Sequence, residues 1–221
     1  KYIKKRKKKK NIKNFFGKPI ISYAINNAKK SKCFDKIIVS TDNERIAKIS
    51  KKYGAEVPFV RPKKLSNNFT ALAPVISHAI SELKEKNIIP DLVCVLLATT
   101  PLLNYRHLVN SKKKFLKSNS KFFISVNKIK NPIQKEIKIK KKKKLSMFDK
   151  KFFDKRSQDL EEAFHDAGQF YWGNTSSFKE QSKILIENTN YYIIDELETV
   201  DIDTHEDWNK AKKIFKIFHK V

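Results

Sequence analysis

"DLVCVLLATTP", residues 91–101, is an apolar run that ends in turn-forming residues. Side chains alternate faces along a strand, so a run like this one is apolar on both. Such a strand belongs at the centre of a sheet covered by helices on each side. The flanking segments have the spacing to supply those helices. "APVISHAISELKEK" (73–86) has apolar residues at helical intervals and Pro74 in its first turn, and "YRHLVNSKKKFLKS" (105–118) repeats the pattern.

Further out the alternation continues. "DKIIVSTDN" (35–43) reads as a buried strand ending in polar turn residues. "NERIAKISKKYG" (43–54) reads as a helix with Asn43 as N-cap and Gly54 as stop. "KFFISVN" (121–127), "GQFYWGN" (168–174) and "NYYIIDE" (190–196) are further strands, and "HEDWNKAKKIFKIFHK" (205–220) is a closing amphipathic helix. Strands alternating with helices predict an α/β domain with a mainly parallel sheet. The rhythm breaks between Pro132 and about Asp166, where an alternating strand, a lysine tip at residues 140–144 and a returning segment predict a hairpin arm. The chain is expected to be one domain, 1–221, with this arm inserted at about 130–165.

Composition narrows the class. At 221 residues, 40% hydrophobic and with 16 Phe, the chain can bury a sizeable core. No apolar run approaches the length needed to span a bilayer, and the basic N-terminus lacks the apolar stretch of a secretion signal. Cys33 and Cys94 sit in apolar surroundings without metal-ligand spacing, as reduced residues of a cytoplasmic protein would. Lys and Arg number 49 against 23 acids, a net charge of +26. That excess favours any polyanion and keeps nucleic acid as an alternative partner. The lysines are spread through every segment, however, which fits a compositional bias laid over a globular template.

Two stretches carry candidate chemistry. In "VDIDTHEDW" (200–208), Asp201 and Asp203 project to one side and Val200 and Ile202 to the other. Two carboxylates that close repel unless a cation or proton lies between them. One reading is a Mg2+ site that shares the ion with substrate phosphates. The other is a solvated strand end, with Asp203 or Thr204 capping the helix that follows. In "RSQDLEEAFHDAGQFYWG" (156–173), Arg156, Gln158, Asp159, His165, Asp166 and Gln169 crowd between two strands. Arg offers a fork for a carboxylate and amides offer partners for hydroxyls, which suits a polyhydroxylated acid; charges pairing among themselves would explain the stretch equally.

The second stretch closely resembles its counterpart in bacterial pseudaminic acid cytidylyltransferases, of the CMP-sialic acid synthetase (acylneuraminate cytidylyltransferase) family. "KNIKNFFGKPIISYAI" (10–25), "FDKIIVSTDNERIA" (34–47), "YGAEVPFVRPKKLSNNFT" (53–70), "ATTPLL" (98–103) and "VDIDTHEDW" follow in the family's order. The resemblance implies a Rossmann-like nucleotidyltransferase fold, a three-layer α/β/α sandwich with an inserted β-hairpin dimerisation arm and a homodimer. It implies transfer from CTP to a nine-carbon sugar acid, most closely pseudaminic acid, with Mg2+ and with release of pyrophosphate. Carried over position by position, Asp201 and Asp203 match the metal pair, Lys5 and Arg6 the basic residues of the phosphate loop, and Lys10 and Asn11 the nucleotide-facing "KN". Arg61 and Thr70 match positions bordering the cytosine, Arg156 and Gln158 the sugar-acid contact, and Gln169 is a weaker candidate there. Asp42 is either a further polar contact or a helix cap. His165 is either a substrate contact or a structural histidine.

The chain departs from the family at its start. The family opens with a buried strand and a glycine-rich loop whose bare backbone closes around triphosphate. Here "KYIKKRKKKKN" (1–11) places Tyr2 and Ile3 where the glycines belong. Two readings follow for an enzyme of this family: a degenerate or truncated phosphate loop that impairs activity, which is the favoured one, or many lysines that hold the triphosphate by bulk charge with poorer geometry than a backbone nest. The alternatives are a polyanion-binding protein or an inactive dimeric relative on the same fold. Leu72 stands where relatives commonly carry a hydroxyl residue near the nucleotide.

Overall fold

The computed structural model describes residues 10–67, 69–140, 144–180 and 183–219. Lys5, Arg6 and the tip lysines 141–143 lie outside the described residues. From the N-terminal side, a 3-10 turn at Lys10–Ile12 leads into a small antiparallel hairpin, β1 (Asn14–Phe15) with β2 (Lys18–Pro19), and then α1 (Ile21–Ser31). Next come α2 (Glu44–Lys52), α3 (Leu72–Lys84), β3 (Leu92–Leu96), α4 (Tyr105–Lys117) and β4 (Phe122–Lys128). A second hairpin, β5 (Ile137–Ile139) with β6 (Leu145–Met147), precedes the long β7 (Phe164–Asn174), α5 (Thr175–Glu180), β8 (Thr189–Ile193) and α6 (His205–His219).

Local chemistry explains most boundaries. The Asn43 side chain accepts the N–H of Ile46 at the start of α2, and Gly54, at φ +93°, supplies the left-handed turn beyond its end. Pro74 occupies the first turn of α3, where its missing N–H costs nothing. Thr204 caps α6. Its Oγ1 accepts from the N–H of Asp207 at 3.1 Å, and Asp207 Oδ2 accepts in return from the N–H of Thr204 at 2.6 Å.

The sheet runs β3-β7-β4-β8. β4 and β8 are parallel, but β7 runs antiparallel to both of its neighbours, so the sheet is mixed where a mainly parallel one was expected. An antiparallel strand returning from an inserted arm can slot between two parallel strands without a crossover helix. Among the described residues the strand expected at 35–43 contributes only a parallel bridge between Ile38 and Glu56. Among the described residues β3 borders the sheet and β4 is the buried one, with residues 122–127 all enclosed.

Both faces of β3 are covered as its composition requires. Leu92, Cys94 and Leu96 pack with Leu108 and Phe115 of α4 and with Trp172, while Val93 and Val95 pack with Ile76 and Ile80 of α3 and with Phe178. Leu72 joins this second cluster. A further core unites the chain's two ends: Phe15 and Ile20 bury against Val200, Ile202, Trp208, Ala211, Ile214 and Phe215. Fully burying a side chain such as Phe15 or Ile202 contributes about 1.5–3 kcal/mol. This core holds residues 10–20 beside residues 200–203.

Candidate active site

Val200 and Ile202 are buried in that core, Asp201 is exposed and Asp203 half-exposed, so the alternation read from the sequence persists although the segment pairs with no strand among the described residues. Thr204 and Asp207 take over the capping of α6, which leaves the Asp203 carboxylate available. Its Oδ1 lies 3.2 Å from the ammonium of Lys10, which also donates to the carbonyl of Ile202. The candidate nucleotide lysine and the candidate metal pair thus share one site.

Asp201 stands beside Gly168 of β7. A Cβ added at Gly168 would sit 3.7 Å from Asp201 Cγ, and the residue's φ of +60° lies in the left-handed region that glycine adopts without strain. Partial burial of the carboxyl end pushes the Asp201 acid up from the ordinary carboxylate range even though the residue keeps an exposed surface. The charge of Asp203 adds to this rise, Lys10 opposes it, and Asp207 and Asp166 add smaller upward pushes. A carboxyl in that position gains from a nearby cation.

Gly168 reaches Asp201 because β7 bulges. Ile124 pairs with Tyr171 and Val126 with Asp166, so residues 167–170 oppose the single residue Ser125. The buried Ser125 hydroxyl repairs the interrupted ladder: it donates to the Phe170 carbonyl at 3.1 Å and accepts from the N–H groups of Phe170 at 3.1 Å and Gln169 at 3.3 Å. Two residues on, buried Asn127 donates to the carbonyl of Ile194 at 2.7 Å and accepts from Thr199 Oγ1 at 2.9 Å. Ser125 therefore holds the segment bearing Gly168, and Asn127 holds the one leading to Asp201. Neither residue was singled out from the sequence. The available signal was two polar residues at alternate positions within the apolar run "FFISVNK".

The remaining candidates are spread around this point. Asn11 is half-buried in the turn that carries Lys10. Arg61 donates through Nε to Ser66 Oγ at 3.0 Å, and its guanidinium lies 3.9 Å from Asp42. Asp42 thus faces an arginine, and the helix cap is Asn43. Thr70 donates to the carbonyl of Lys64 at 3.3 Å. Arg156 is exposed and bound through two donors to Asp159, at 2.8 and 3.0 Å; Gln158 beside it and His165 are exposed. Gln169 differs from these: it is enclosed, with Nε2 on the carbonyl of Ala167 at 2.8 Å. No hydrogen bond joins Arg156 to Asp201 or Asp203 among the described residues.

The donor set fits a hard divalent ion. Among the described residues no group of three His, Cys, Asp or Glu side chains gathers as a metal cage. An isolated carboxylate pair is the arrangement that suits Mg2+ arriving with a triphosphate, since that ion takes one or two carboxylates and completes its shell with phosphate oxygens and water.

Comparison with known proteins identifies the family. The chain is 40% identical over 216 residues to the pseudaminic acid cytidylyltransferase of Campylobacter jejuni, covering 98% of this chain and 93% of the relative. It is 31% identical over 199 residues to a Helicobacter pylori protein described as a pseudaminic acid cytidylyltransferase and UDP-2,4-diacetamido-2,4,6-trideoxy-beta-L-altropyranose hydrolase; this covers 90% of this chain and 38% of that one. In three dimensions it matches a CMP:2-keto-3-deoxy-manno-octonic acid synthetase complexed with CTP at a TM-score of 0.70, over 98% of this chain and 95% of that one. At 12% identity that likeness is one of fold, and it bears out the α/β nucleotidyltransferase architecture expected from the sequence. The profile described as cytidylyltransferase spans residues 5–217, from the basic start to the closing helix, and the chain belongs to the cytidylyltransferase family.

Proposed function

We propose that the chain transfers the cytidylyl group of CTP to pseudaminic acid, giving CMP-pseudaminic acid and pyrophosphate. The observation that carries this reading is the 40% identity, over nearly the whole chain, to the Campylobacter jejuni pseudaminic acid cytidylyltransferase. The family match over residues 5–217 favours it over polyanion binding by bulk charge, which would not require a nucleotidyltransferase sequence throughout.

In the reaction the anomeric hydroxyl oxygen of the sugar forms a bond to the α-phosphorus, and the bond from that phosphorus to the pyrophosphate oxygen breaks. Positioning and neutralisation of phosphate charge carry such chemistry. Lys10 would turn its ammonium to the triphosphate, with Asn11, Arg61 and Thr70 around the nucleotide. Asp201 and Asp203 would hold Mg2+, which when bound supplies charge neutralisation at the phosphates. Arg156 would exchange Asp159 for the sugar's carboxylate, a like-for-like swap of fork partners, with Gln158 and Gln169 on the sugar side. Lys5 and Arg6 would complete the phosphate contacts.

The same reading takes the chain to be a homodimer. In the β5–β6 hairpin Ile137 pairs with Met147 and Ile139 with Leu145, so their side chains share one face. Ile137, Ile139 and Leu145 remain 55, 76 and 66% exposed, an apolar face that a second copy of the arm would cover. Both cysteines are free, which suits the reducing cytoplasm as the site of action.

Pyrophosphate release with CTP, Mg2+ and a panel of nonulosonic acids tests the activity. Release is expected with pseudaminic acid above all others; no release with any of them would refute the reading. Sedimentation of the wild type against Ile139→Lys tests the dimer, and a wild-type monomer would refute it.

A further inference from the structure

Asp166 opens the bulge of β7 and closes it on itself. Its Oδ1 accepts from the N–H of Gly168 at 2.8 Å, and its Oδ2 accepts from the Tyr171 hydroxyl at 2.7 Å. The first partner lies within the bulged stretch and the second just beyond its far end, so one carboxylate ties the apex to that end. Tyr171 is itself buried at 8% exposure, packed with Ile124 and Val126, and cannot swing away. The apex so fixed is Gly168, which faces Asp201 so closely that an added Cβ would lie 3.7 Å from the Asp201 Cγ.

We propose that Asp166 and Tyr171 form a positioning clamp: by pinning Gly168, they set the orientation in which Asp201 meets a divalent cation. This rests on the reading of Asp201 and Asp203 as the cation pair. Residues 167–170 have lost regular pairing with β4: Ser125 holds the N–H groups of Gln169 and Phe170, Leu97 donates to the Gln169 carbonyl, and Asp166 holds the N–H of Gly168. A left-handed glycine with no side chain has many alternatives if that bond is lost. The Asp201 carboxyl would then lose its backing while Asp203 kept its own support through Lys10. Each oxygen of Asp166 holds one bond of the clamp, so its part is to position Gly168 beside Asp201. Partners that orient a ligand in this way typically change metal affinity by about 10–100-fold when removed.

The clamp makes a prediction that depends on the type of substitution. Asn at position 166 can still accept the Gly168 N–H and can donate to the Tyr171 oxygen, so it keeps the clamp without the charge. Ala keeps neither bond. The full chain is titrated with Mn2+ alone, read by calorimetry or by its paramagnetic resonance, for the wild type, D166A, D166N, Y171F and D201A, with thermal melting of each. Asp166→Ala is expected to weaken Mn2+ binding by about tenfold. Asp166→Asn should stay within about twofold of the wild type, and Tyr171→Phe, which removes one of the two bonds, should fall between. Should D166A not fold, the comparison of Y171F with D166N carries the test. Equal losses in D166N and D166A would overturn the clamp, because charge rather than geometry would then be at work. Unchanged Mn2+ affinity in a folded D166A or in Y171F would overturn it as well. If D201A binds Mn2+ as the wild type does, the cation-pair reading fails first, and that result is told apart from failure of the clamp by the variant in which it occurs.

Discussion

The ammonium of Lys10 lies 3.2 Å from Asp203 Oδ1, joining residues 193 positions apart in sequence. The salt bridge is partly buried, its two side chains retaining 21 and 42% of their exposure. Lys10 serves as counter-charge to a carboxylate pair whose members repel. On the proposed reading the same ammonium turns to the triphosphate delivered with the ion.

Lys10→Met should therefore lower kcat/KM for CTP by about 10–100-fold, the loss expected of one hydrogen bond to a charged group worth about 1.5–3 kcal/mol. Asp203→Ala should remove pyrophosphate release altogether, with the fold retained by circular dichroism. Normal turnover in an Asp201/Asp203 double alanine variant would exclude the metal assignment.

Ser125→Ala strips the bulge of its substitute ladder. The N–H groups of Gln169 and Phe170 lose the hydroxyl they share, in a position with no access to water. Leaving buried donors unsatisfied costs about 1–3 kcal/mol each. For the two donors together denaturant unfolding should show a loss of about 2–6 kcal/mol, with an unchanged slope.

Arg156 presents a planar fork already matched to a carboxylate, that of Asp159. Lysine cannot reproduce two parallel donors. Arg156→Lys should raise KM for the sugar acid by about tenfold, from the loss of one charge-assisted bond, and leave KM for CTP unchanged. Equal effects on both substrates, in steady-state kinetics, would remove Arg156 from the sugar site.

Burial, ahead of the neighbouring Cys33, pushes the Cys94 thiol well above the ordinary thiol range. The sign of the pH effect follows from proton counts. Above the ordinary thiol range the unfolded chain gives up the Cys94 proton while the folded chain keeps it, so stability declines as pH rises. The slope for one proton is at most about 1.4 kcal/mol per pH unit. Cys94→Ala should flatten the decline in melting temperature above about pH 8.5, the free thiol range. In a Cys33→Ser background the folded chain should also react with iodoacetamide far more slowly than the unfolded one.

Much of this architecture was written locally. Asn43, Pro74 and Gly54 mark helix ends through bonds within a few residues, and the apolar residues of 91–97 demand cover on both faces wherever the strand lies. The common side of Asp201 and Asp203 follows from alternation alone, as Val200 and Ile202 turn inward. Other features required the assembled chain. Nothing in β7 announces that it runs against its neighbours, because strand direction is set by where the arm before it returns. The bulge opposite Ser125 depends on register between segments some forty residues apart, and the Lys10–Asp203 contact on a core shared by both ends of the chain. Short-range order is decided by each residue's own backbone and nearest neighbours. The site is decided by which distant backbones share a core, and that is a property of packing.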